Sequence, residues 1–170
     1  MKHALTFALL IALAGCAVTA PPGAYPITDE KREFTFDYTV PGKSQHELFR
    51  SARNYLATAY KDSRAVTRVE DEADGTIIGK GIAPWNMTID SSLIPSMPCS
   101  SNYDVIFIAK EGRARLQLTL REGAAQPATC NWPLPPKRDY QQIVSQFNEM
   151  SAGLEKALNG QGVVDQLRNF

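Results

Sequence analysis

Phe34, Phe36, Tyr38 and Val40 alternate with Thr35, Asp37 and Thr39. Apolar side chains at every second position put one face of an extended segment into a core and leave the other in water. Residues 34–40 therefore predict a half-buried strand, and Pro41-Gly42 ends it. Leu48, Ala52, Tyr55, Leu56 and Ala59 then recur at helical spacing, while Arg50, Arg53, Asn54 and Lys61 fall elsewhere on the wheel. That pattern predicts an amphipathic helix over 44–60. Ser44-Gln45-His46-Glu47 supplies its start as a capping box: Ser44 accepts from the backbone N–H of Glu47, and the Glu47 carboxylate reaches back.

Residues 65–70 predict a second strand, 71–75 a turn in which Asp74-Gly75 favours a hairpin, and 76–82 the returning strand. Trp85, Met87 and Ile89 alternate with Asn86, Thr88 and Asp90 in a further strand, whereas Pro95 and Pro98 mark 91–102 as a loop. The runs 103–110 and 113–121 flank Glu111-Gly112. With those two residues as the turn, Lys110 faces Arg113, Ala109 faces Ala114, Phe107 faces Leu116 and Val105 faces Leu118. The last three pairs are apolar on both sides, and a slip of one residue would turn each of these side chains outward, so register and core face follow together. The opposite face carries Arg113, Arg115, Gln117, Thr119 and Arg121 on one strand and Ile106 and Ile108 on the other.

Beyond a Pro-rich loop over 126–136, Asp139 is placed to cap a second helix. Its buried stripe is Ile143, Phe147, Met150, Leu154 and Leu158, and Asn159-Gly160 ends it. The expected architecture is α+β in two layers: one mainly antiparallel sheet of about five strands, in the order β-α-β-β-β-β-α, with both helices packed on one face. The domain covers 33–160, and 161–170 is read as a loosely held tail.

The start of the chain follows a different pattern. Met1-Lys2-His3 is a short basic opening, and residues 4–14 are apolar apart from Thr6. Eleven residues of helix rise about 16 Å, roughly half of a bilayer core, which suits a signal-peptide hydrophobic region better than a membrane span. A buried helix would need a polar outer face, and one threonine does not provide it. The segment ends in Leu13-Ala14-Gly15-Cys16, which resembles the lipobox of bacterial lipoproteins. The resemblance implies a signal peptide over 1–15, a diacylglyceryl group on the Cys16 thiol, cleavage after Gly15 and acylation of the new amine. With two or more acyl chains the anchor is stable. Cleavage near Ala20 would instead release a soluble secreted protein. Ala17 rather than aspartate after the cysteine implies the outer membrane, facing the periplasm, in a Gram-negative envelope. Residues 16–32 hold Pro21, Pro22, Gly23 and Pro26 and read as a flexible tether.

Charge narrows the partners. Eighteen basic and eighteen acidic residues balance, with none of the basic excess that nucleic-acid modules carry. Catalytic chemistry has little to work with. His46 is the one histidine outside the signal segment, too few for a His-rich metal site, and sits in a helix's first turn. Cys99 and Cys130 lack a second histidine to activate either thiol, and in an oxidising compartment they are expected to pair as a disulfide. Gly79-Lys80-Gly81 lacks the phosphate-loop frame and points to a bulge or a close backbone approach. Asp71, Glu72 and Asp74 depart from calcium-loop spacing and read as a solvated turn. Asn86-Met87-Thr88 is a chance match to a glycosylation acceptor. No metal, cofactor or catalytic residue is expected. Ile106, Ile108, Arg113, Arg115 and Arg121 form a mixed face that reads first as a solvated sheet face, and otherwise as a surface for an envelope protein or an anionic glycolipid partner.

The strand from Phe34, the helix over 44–60 and the run from Glu70-Asp71-Glu72-Ala73-Asp74-Gly75 through Thr76-Ile77-Ile78-Gly79-Lys80-Gly81 together resemble a family of bacterial envelope domains of unknown function, with a fold similar to the TATA-binding protein. The resemblance covers residues 34–120 and implies a fold without an activity; a fold shared with a DNA-binding protein does not carry DNA binding with it. Two functions remain: a non-enzymatic binding or structural module, or a carrier or sensor of a small apolar or anionic ligand held between helices and sheet. A pocket lined by Phe36, Tyr38, Trp85 and Phe107 would favour the carrier, a packed core the binding module.

Overall fold

The computed structural model describes residues 23–59, 66–89, 96–124, 130 and 132–162. The expected signal segment, Cys16 and residues 163–170 of the expected tail lie outside them. The chain runs β1 (Glu33–Thr39), α1 (Gln45–Ala59), β2 (Val66–Asp71), β3 (Thr76–Thr88), β4 (Ser96–Lys110), β5 (Arg113–Ala124), α2 (Gln141–Leu158). The strands form one antiparallel sheet in the order β1-β5-β4-β3-β2, with both helices on one face. This is the expected two-layer α+β architecture.

The core lies between the layers. Phe34 and Tyr38 of β1, Trp85 of β3, Val105 and Phe107 of β4, and Leu116, Leu118 and Leu120 of β5 meet Leu48, Phe49 and Leu56 of α1 and Ile143, Phe147 and Leu154 of α2. The rings of Phe34 and Tyr103 each stand edge-on to Phe147 at 5.1 Å. The capping box of α1 is present: the Glu47 carboxylate accepts from the Ser44 N–H at 2.9 Å, and Ser44 Oγ accepts from the Glu47 N–H at 3.3 Å. The β4–β5 register runs through the four expected pairs, Lys110 with Arg113 to Val105 with Leu118.

Three local expectations change. The strands at 76–82 and 85–89 are one continuous β3, and β4 starts at Ser96 rather than after 102. Pro84 lies inside β3, where its missing N–H faces away from β4 and costs nothing. Among the described residues β2 pairs with β3 only as far as Lys80, so no described strand covers the outer edge of β3 beyond it. Side chains close it instead. Gln142 bonds both the N–H and the carbonyl of Asn86 at 2.9 Å, and Gln146 donates to the Pro84 carbonyl. Asp139 is part of the same clasp and does not cap α2. Its carboxylate, 3% exposed, accepts from the Thr88 N–H at 3.0 Å and hydroxyl at 2.7 Å.

The tether is also shorter than expected. Pro26 bridges Pro136, the Ile27 N–H donates to the Pro135 carbonyl at 3.0 Å, and Ile27 is buried. From Gly23 onward the chain is a strap on the domain, because Ile27 gives it an apolar anchor and the 135–138 segment supplies backbone partners.

Candidate functional site

The layer opposite the helices leaves the outer sheet face uncovered among the described residues, and the registers of all five strands set its rows. Thr35, Gln117, Ile106, Ile78 and Val69 lie side by side across the sheet. Ile78 is 36% and Val69 47% exposed, and Ile106 is half-buried. The next row toward the turns holds Asp37, Arg115, Ile108, Thr76 and Asp71. The row on the other side holds Glu33, Thr119, Asp104, Lys80 and Val66. An apolar stripe of Val69, Ile78 and Ile106, widened by Ile108, is thus bounded by two charged rows.

Those charges pair with one another. Arg115 forks onto Asp37 at 2.6 and 2.9 Å. The guanidinium lowers the Asp37 carboxyl below its ordinary range, and the carboxylate raises Arg115. Arg121 donates to Asp104 Oδ2 at 2.6 Å, while Lys80 Nζ lies 3.6 Å from Oδ1. Arg113 is exposed beside the β4–β5 turn, next to an open depression of about 440 Å³ that Asp37, Thr39, Ile108 and Lys110 help to line. Of the three arginines on this face, two are already neutralised across the strands. The face is apolar at its centre and charge-balanced at its borders.

Ile78 and Val69 escaped the sequence reading. Each lies on a strand whose register with β4 needs the sheet order, although the doublet Ile77-Ile78 carried a hint, since alternation sends one of the two outward.

The other candidates fall into structural roles. His46 Nδ1 sits 2.5 Å from Glu72 Oε1, both half exposed, tying the start of α1 to the β2–β3 turn. Asp71 accepts from the Asp74 N–H at 3.0 Å, and no group of three metal-ligating side chains occurs among the described residues. Gly81 is a close approach: a Cβ there would lie 2.2 Å from Tyr103 Cζ, on the residue it faces in β4. Cys99 and Cys130 are bridged, with Cα atoms 5.3 Å apart. A register shift beside Ser101 sets Ala124 opposite it. Tyr38, Trp85 and Phe107 are buried in the core cluster, with Phe36 packed against it; Tyr38 alone of the four also borders the depression beside Arg113, so the four do not gather around one pocket.

A two-layer α+β domain with a bare sheet face is the class that this geometry defines. Residues 34–120 match the domain of unknown function DUF4468, with a TBP-like fold, and the chain belongs to that family. It is 26% identical to a DUF4468 family protein of known crystal structure from Bacteroides ovatus ATCC 8483, over 58% of each chain, with a TM-score of 0.46. A TBP-like protein from Parabacteroides distasonis ATCC 8503 shares the fold at 11% identity and TM-score 0.52, over 79% of this chain and 97% of that one. No curated protein matches.

Proposed function

We propose that this protein is a lipid-anchored, non-enzymatic module of the bacterial envelope that binds another envelope protein through its outer sheet face. The observation that carries the reading is the stripe of Val69, Ile78, Ile106 and Ile108 between rows of mutually paired charges. An apolar centre with a polar rim is the anatomy of protein interfaces. An anionic glycolipid would want unpaired cations, and Asp37 and Asp104 occupy Arg115 and Arg121. The packed positions of Tyr38, Trp85 and Phe107 favour this reading over the ligand carrier.

The envelope location rests on the signal-like segment and on Cys16 within Leu13-Ala14-Gly15-Cys16, with Ala17 favouring the outer membrane and its periplasmic side. The Cys99–Cys130 bridge suits an oxidising compartment. No helix among the described residues is long and apolar enough to cross a membrane, so membrane attachment in this reading falls to the lipid.

The test is site-specific photocrosslinking in intact cells. A photoreactive residue at Ile78 should give a discrete protein adduct, and one at exposed Thr58 on α1 should not. Adding Ile106→Asp should remove the adduct while leaving the melting curve intact. No adduct from Ile78, or the same adduct from both positions, overturns the sheet-face reading. Replacing Cys16 with Ser should abolish fatty-acid labelling, and persistent labelling overturns the lipid anchor.

A further inference from the structure

We propose that the strap end of the domain lies against the lipid headgroups, so that the sheet stands away from the membrane with its hairpin tips farthest out. The inference rests on the lipid anchor at Cys16. Seven residue-to-residue steps separate Cys16 from Gly23. Each spans at most about 3.6 Å, so Gly23 lies within about 25 Å of the anchored residue whatever path the chain takes.

Gly23 is not free to lead the domain elsewhere. Its carbonyl accepts from the Arg138 N–H at 3.4 Å, and the Tyr25 carbonyl accepts from the Lys137 N–H at 3.3 Å. Arg138 in turn donates to the Thr88 carbonyl, and Thr88 pairs with Ser96 at the first residue of β4. The leash therefore ends at one defined edge of the sheet. β4 runs fifteen residues from that edge to the turn at Glu111-Gly112, roughly 45 Å at about 3.3 Å per residue. The leash limits how far this edge lies from the bilayer and sets no such limit on the hairpin tips, so the chemistry of the edge decides which end faces lipid.

The surface at that edge fits lipid. Tyr25 is 67% exposed, the most exposed large apolar side chain among the described residues. The Lys137 side chain beside it is 73% exposed, with its ammonium 3.1 Å from Glu30. An exposed tyrosine with an apolar ring and a polar tip, next to a lysine, is what membrane interfaces select at headgroup level.

The experiment uses the acylated full chain in vesicles of phosphatidylethanolamine and phosphatidylglycerol doped with a headgroup nitroxide lipid. A fluorophore is attached through an azide-bearing residue at Lys137 or at Glu111. Quenching at Lys137 should exceed that at Glu111 several-fold. Equal quenching, or stronger quenching at Glu111, overturns the orientation. Inserting twenty Gly/Ser residues after Thr19 together with Tyr25→Ser should bring the ratio close to one, and an unchanged ratio overturns the leash and Tyr25 as its cause. The mass of the membrane-extracted protein separates the two readings. An unmodified Cys16 removes the anchor and the orientation together, whereas acylated Cys16 with equal quenching removes the orientation alone.

Discussion

Single side chains hold the two layers together at points where a polar group is buried. The Tyr38 hydroxyl lies 2.8 Å from Ser151 Oγ, and burial pushes its ionisation up to about 12. The folded state thus favours the neutral phenol. That contribution is complete below the ordinary tyrosine value of about 10 and is lost as pH rises toward 12. Thermal melts between pH 9 and 12 should fall more steeply for the native chain than for Tyr38→Phe; parallel curves would remove Tyr38 as the cause. At the acid end, the Ser44 N–H and hydroxyl, followed by Lys43, hold the Glu47 carboxyl down to about 2. The capping box therefore contributes fully above about 4.5 and is lost as pH falls toward 2, which an NMR titration of Glu47 reads directly. Gly81→Ala should cost about 1–3 kcal/mol by overpacking against Tyr103, measured by urea titration.

Among the elements, the β4–β5 hairpin was the most legible, since paired apolar positions on both strands admit one register. Phe107→Ala should accordingly cost about 3–5 kcal/mol in a denaturant titration, and Thr119→Ala little. Equal losses would reverse the assigned faces. The long β3 was less legible, because proline argues against a strand only where its N–H is needed, and that depends on which neighbour each residue faces. Asp139 was misread for a related reason. An acid just before a helix looks like a cap until the open edge of β3 comes within its reach. Removing it by Asp139→Ala strips both acceptors from Thr88 and should cost about 1–3 kcal/mol, with faster amide exchange at Thr88 as its signature. The apolar stripe on the outer face had the weakest sequence signal, being assembled from three strands at positions up to 39 apart.

For the whole molecule, the bridge between Cys99 and Cys130 closes a loop of 31 residues. In the chain-entropy model this stabilises the fold by about 3–4 kcal/mol, so dithiothreitol should lower the melting temperature and the Cys99→Ser, Cys130→Ser double variant should melt no higher than the reduced protein. Two free thiols in protein isolated without reductant would contradict the bridge. The sheet order has a consequence in time. β1 is made first yet pairs solely with β5 among the described strands, Glu33 meeting Thr119 and Thr39 meeting Arg113. Until those distant residues arrive, Phe34, Phe36 and Tyr38 belong to an edge with no partner. Hairpins such as β4–β5 close in microseconds, but joining segments more than seventy residues apart must first overcome the entropy of a large loop. A chain ending after Gly112 should therefore keep its helix and early hairpin only weakly and expose β1 to intermolecular pairing, seen as concentration-dependent aggregation. In the full chain, mutations along the β1–β5 seam should slow folding more than mutations along β2–β3.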